Sequence, residues 1–140
     1  MVRSSWLSAL IVAVSLPALA QQPAVKNVPA TYTLPTSGEK VYQAYCASCH
    51  GLKGLGDGPV APSLKAPVPD LTILTRQNQG EFPGVRISES IRGASTSRAH
   101  GTADMPVWGP VFRSIDSRSE GATHIRLHNL VKYIETLQAK

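Results

Sequence analysis

A chain of 140 residues suits one domain and leaves little room for a second. It is 42% hydrophobic but holds only two Trp, four Tyr and two Phe beside eleven Gly and eleven Pro, so a core built from its own side chains is hard to reach and something else should fill the middle. The formal charge of +5 comes without a basic cluster, which excludes nucleic-acid binding.

Taken in chain order, residues 1–20 read as a leader peptide. Arg3 supplies the positive start, Trp6 to Leu16 is an uncharged and mostly apolar run, and Ala18-Leu19-Ala20 is a small-x-small cleavage pattern. A retained membrane anchor is the competing reading. Leu7 to Ala20, interrupted by Pro17, falls short of the roughly 20 apolar residues that a span needs. Loss of Arg3 with the leader lowers the charge from +5 to +4. Residues 21–35 contain Pro23, Pro29 and Pro35 and no apolar period, and are expected to form a flexible arm.

From Thr36, with Glu39 in the capping-box position, a helix should carry Val41, Tyr42 and Tyr45 into Cys46. Gly51 to Pro69 is too dense in Gly and Pro for a long helix or a central strand. A short helix is expected from Gly84 to Arg92, with Ile87 and Ile91 on one face and Gly93 as its stop. Gly101 to Pro110 reads as loop. The last segment, Glu120 to Gln138, puts Leu127, Leu130, Val131, Ile134 and Leu137 on one stripe. The fold class is all-α with long loops.

The chemistry lies at Cys46-Ala47-Ser48-Cys49-His50, the c-type haem attachment pattern. At a helix end this spacing presents both sulfurs to the vinyl-derived positions on one porphyrin edge, and the next residue swings its imidazole under the iron. A thioredoxin-like redox pair would sit near a βαβ pattern, which is missing. Zinc needs about four ligands, and the chain has no second Cys pair. Once the leader is removed one Met remains, Met105, in a loop beside Pro106 and Trp108. It is either a core gap-filler or the second axial ligand; a His/Met pair raises the reduction potential and suits electron transfer. His100 is its rival, while His124 and His128 should face solvent on the last helix.

The chain resembles a class I bacterial cytochrome c, a small monohaem protein, over Ser37 to Leu137. Gly38, Tyr42 and Cys46 match the small–aromatic–Cys spacing of that family's first helix, and Leu130 and Tyr133 match the residues of the last helix that cross it. The stretch from Ala99 to Gly109 resembles its methionine loop. The resemblance implies a cytochrome c fold over residues 36–140, with three to five short helices and long loops around one covalently bound haem c. It implies that Pro62, twelve residues after His50, offers its carbonyl to the imidazole Nδ1–H, and that Leu64 covers a haem face. Its cofactor-binding set is then Cys46, Cys49, His50, Pro62, Leu64, Met105 and Trp108, with iron held by His50 and Met105. Short loops and few lysines depart from the family pattern.

Lower-stakes residues keep two readings each. Trp108 and Tyr45 either line the haem crevice or are ordinary core. Arg92 and Arg98 either neutralise propionates or are solvated charges. Lys53 and Lys65 flank the attachment segment and could form a weak basic rim for acidic partners. With both axial positions filled by protein, the expected activity is one-electron carriage and not enzymatic turnover. The partners would be redox proteins such as a dehydrogenase, a cytochrome complex or a terminal oxidase. The mature chain is expected to be a monomer that does not span a membrane, in the periplasm of a Gram-negative bacterium. A peroxidase-like enzyme or a sensor with an open sixth site is the alternative.

Overall fold

The computed structural model describes residues 29–93, 105–117 and 119–139. These form six α-helices: α1 Gly38–Tyr45, α2 Ala47–His50, α3 Leu74–Gln77, α4 Gly84–Arg92, α5 Trp108–Ile115 and α6 Glu120–Thr136. Two 3₁₀ turns, Ala61–Ser63 and Leu71–Ile73, lie between α2 and α3, and no strand occurs among the described residues. The all-α expectation holds, with one helix more than the upper bound of five. The leader, the arm up to Val28, Arg98 and the stretch from Ala99 to Asp104 with His100 lie outside the described residues.

The first helix begins one residue later than expected. Ser37 is the cap, its Oγ accepting from the Lys40 N–H at 3.3 Å, so Lys40 and not Glu39 occupies the third helical position. Glu39 still places its charge in the first turn, where the helix dipole favours it, and accepts from the Gln43 side chain at 2.9 Å. Val41, Tyr42 and Tyr45 recur at helical spacing and are buried.

The longest helix, α6, is capped by Ser119, whose Oγ accepts from the Ala122 N–H at 3.2 Å. Of its expected stripe, Leu127, Leu130 and Ile134 are buried and Val131 and Leu137 partly buried, with Arg126 added to the buried set. The α1/α6 crossing falls where the resemblance puts it. A Cβ on Gly38 would sit 2.0 Å from the Asn129 carbonyl oxygen, and the Tyr42 and Tyr133 rings are 5.3 Å apart between centroids. Only a residue without a side chain lets the helices approach so closely.

Residues 29–35 were expected to be flexible, yet they lie against this core. Thr33 is buried, and its carbonyl accepts from Arg126 Nη2 at 2.8 Å. The same Nη2 meets Asp116 Oδ2 at 2.7 Å, so one fully buried guanidinium ties the arm to the α5–α6 turn. Three further bonds fasten the arm: Arg126 Nε donates to Thr33 Oγ1, the Asn129 side chain to the Pro35 carbonyl, and the Tyr45 hydroxyl to the Thr31 carbonyl.

The helix α4 spans the expected residues, stopped by Gly93 in the left-handed region at φ +75°. In contrast, α5 lies partly inside an expected loop. Gly109 and Pro110 fall in its first turn, where the missing Pro N–H has no intrahelical partner to lose. Gly109 also lets α5 approach the end of α4, since a Cβ there would be 2.8 Å from the Arg92 carbonyl oxygen.

Candidate functional site

The turn between α1 and α2 is held in place from both sides. The carbonyls at the end of α2 would be unsatisfied in a helix this short, and the following loop supplies their donors. The Gly56 N–H bonds His50 O at 2.9 Å, Gly58 bonds Cys49 O at 3.0 Å, and Val60 bonds Ser48 O at 2.9 Å. Gly51, at φ +77°, turns the chain directly after His50, and its carbonyl accepts the buried Tyr42 hydroxyl at 2.8 Å. The attachment segment is therefore fastened to the α1/α6 core.

Beside it lies a cavity of about 630 Å³, within the roughly 300–1,000 Å³ range of cofactor sites. Cys46, Cys49 and His50 open onto it from α1 and α2, and Met105, Pro106 and Trp108 from the start of α5. Leu64, the segment from Ala66 to Pro69, and Leu71 and Leu74 form further walls, as do Ile87 and Ile91 of α4 and Ile134 of α6. Six of the seven residues expected to bind the cofactor are thus brought together. Tyr45 and Trp108 both line the cavity, and their rings, 5.3 Å apart, also reach Phe112 in the core, Tyr45 edge-on and Trp108 stacked.

Pro62 is the exception. It is exposed on the first 3₁₀ turn, and the oxygen facing His50 Nδ1, at 3.3 Å, belongs to Pro69, nineteen residues on. The cause is the fold-back of Gly56–Val60 over the attachment turn, which spends the twelve-residue interval before the chain returns to the imidazole. A carbonyl can only accept, so Nδ1 carries the proton and Nε2 keeps its lone pair. Burial lowers the His50 pKa, partly opposed by the Pro69 bond, and so favours this neutral, metal-binding form.

Burial pushes the Cys46 thiol up to about 12, with the neighbouring Cys49 adding to the rise. A redox-active Cys pair needs its thiol pKa depressed, so the environment opposes that reading. Among the described residues no three His, Cys, Asp or Glu side chains converge on a metal position, so a zinc site has no ligand set there. Apolar walls, two cysteines at thioether spacing, an oriented imidazole and a thioether on one cavity do fit haem c.

Of the other expected candidates, His124, His128, Lys53 and Lys65 are exposed. Arg92 is exposed and takes no part in the cavity wall. Among the described residues the arginine that lines the cavity is Arg86, with Gln77 and Ser90, none of which the sequence reading singled out. Arg86 and Ser90 immediately precede Ile87 and Ile91, so the α4 stripe could have flagged them.

No curated protein and no solved structure matches the chain. A family model described as cytochrome c oxidase, cbb3-type, subunit III, matches residues 33–117, from the docked arm through α5. With that match spanning more than half of the sequence and enclosing the attachment pattern, Met105 and every described cavity-lining residue except Ile134, the chain belongs to this family of c-type cytochromes.

Proposed function

We propose that the chain is an exported class I monohaem cytochrome, binding haem c through Cys46 and Cys49 with His50 and Met105 as axial ligands, and passing single electrons between redox proteins. The observation that carries this reading is the convergence of both thiols, the oriented imidazole and the Met105 thioether on one apolar cavity. The bound group would supply iron(III)/iron(II) exchange, and the protein supplies orientation, potential and exclusion of water. Pro69 fixes the His50 ring through Nδ1 and leaves Nε2 for the metal. Trp108 and Tyr45 carry the wall into the Phe112 core and resist its collapse.

Periplasmic work is supported by the leader pattern at residues 1–20. Among the described residues no helix is long and apolar enough to cross a membrane. A terminal oxidase is the favoured partner because of the family match, with a dehydrogenase or cytochrome complex as the opposite partner. Leu52, Leu55 and Val60 are exposed around the attachment turn beside Lys53, which suits a weakly basic, partly apolar docking rim.

The test is acid–acetone extraction of the purified protein followed by absorption spectroscopy. Haem should stay with the polypeptide, and the oxidised protein should be low-spin with the weak near-infrared band of an iron–thioether bond. Haem released into the solvent would overturn covalent attachment. A high-spin protein that turns over peroxide would replace the carrier by an enzyme.

A further inference from the structure

A haem brings two propionates along with its apolar ring, and a carboxylate taken out of water needs a cation or donors facing it. The described residues lining the cavity include no carboxylate and, His50 aside, one basic side chain, Arg86. Arg86 and Ser90 lie one turn apart on α4, and the adjacent Ile87 and Ile91 repeat that spacing. The helix thus turns an apolar row and a polar row toward the same cavity, and Gln77 adds an amide from the end of α3.

The guanidinium is also positioned. Arg86 Nη2 donates to Asn78 Oδ1 at 3.2 Å, and Asn78 Nδ2 donates in turn to the Glu81 carbonyl at 2.8 Å. Asn78 follows α3, and Glu81 precedes α4 in the same turn, so the loop joining the two helices steadies the side chain. A guanidinium has five donors in a fork matched to a carboxylate, so one bond to an amide leaves it able to take an anion.

We propose that Arg86 binds a propionate at this cofactor site, with Gln77 and Ser90 as neighbouring donors. The proposal rests on the haem reading of the cavity. A fixed positive charge there favours the ionised propionate and lowers its pKa. It also favours the reduced iron, which carries one positive charge fewer. Without it, the potential should fall in the range where the propionates are ionised. The interval over which the potential changes with pH should move upward.

The experiment is a spectroelectrochemical titration against pH of the full holoprotein, wild type and four variants. Arg86→Leu and Arg86→Gln should keep covalent haem and a low-spin spectrum, with a lower midpoint potential and the pH-dependent interval moved to higher pH. Arg86→Lys should restore part of both shifts. Arg113→Leu removes the same charge from an exposed position of α5 outside the cavity and should shift the potential less. Arg86 is exposed at the cavity rim, so its replacement leaves the buried core intact. A wild-type potential and pH profile in both Arg86→Leu and Arg86→Gln, or an equal shift in Arg113→Leu, overturns the assignment. Wild-type protein without covalent haem would overturn the haem reading itself, and the absorption spectrum recorded before each titration separates that failure from the failure of Arg86.

Discussion

Gly38 opens α1 at the point where that helix meets α6, and replacing it by Ala adds one methyl group to a closed interface. The new Cβ would lie 2.0 Å from the Asn129 carbonyl oxygen, 2.5 Å from its carbonyl carbon and 3.0 Å from Tyr133 Cβ. The first two atoms are backbone, so no rotamer change relieves the contact and the helices must separate. Tyr42 and Leu130, both 0% exposed, pack at this interface and would lose contacts as it opens. Overpacking of this kind costs about 1–3 kcal/mol. The better helix propensity of Ala offsets at most about 1 kcal/mol. A net loss of about 1–2 kcal/mol corresponds to a melting point lower by about 4–10 °C for a domain of this size.

Gly84→Ala is the matched control, because Gly84 is also the first residue of a helix and would meet Phe82 and Val131 at 3.6 Å, ordinary contact. Thermal unfolding of the holoproteins, followed by far-ultraviolet circular dichroism, should show Gly38→Ala melting well below wild type and Gly84→Ala melting at or above it. Equal shifts in the two variants, or an unchanged Gly38→Ala, would refute the close crossing.

Arg126 is 0% exposed and bonded to Thr33 and Asp116, so Arg126→Met strands a carbonyl and a carboxylate. Breaking a buried pair costs about 3–5 kcal/mol, and the partial exposure of Asp116 points to the lower end; a change under about 1 kcal/mol in urea unfolding would place Arg126 among surface pairs. Tyr42→Phe removes the hydroxyl bond to the Gly51 carbonyl and should cost about 1 kcal/mol near neutral pH. Burial raises the Tyr42 pKa, so the stability it contributes is present below the unfolded value of about 10 and is lost as pH rises past it. The Phe variant should therefore show a shallower alkaline loss, and an identical alkaline slope would count against burial as the cause. Met105→Ala should abolish the near-infrared band, lower the potential and admit cyanide, and Met105→His should stay low-spin at a lower potential. Were His100 the ligand, His100→Ala would change the spectrum and Met105→Ala would not.

Several features that depend on local spacing were legible in the sequence. The attachment pattern at Cys46–His50, the α4 boundaries with the Gly93 stop, and the α6 stripe depend on residues within a few positions of one another. The crossing of Gly38 and Tyr42 with Leu130 and Tyr133 came from the resemblance, because no local rule pairs the first helix with the last. Tertiary structure alone decided which distant groups meet. The Pro69 carbonyl took the place assigned to Pro62 because hydrogen bonds from Gly56, Gly58 and Val60 fold the loop over the attachment turn. Arg86 rather than Arg92 reached the cavity because α4 turns the row containing Arg86 and Ser90 inward. The docked arm follows from Arg126, whose position on the apolar stripe gave no sign of a buried partner 93 residues away. Helical and capping rules act over one or two turns, whereas loop paths and buried ion pairs depend on the packing of the whole chain around the cavity.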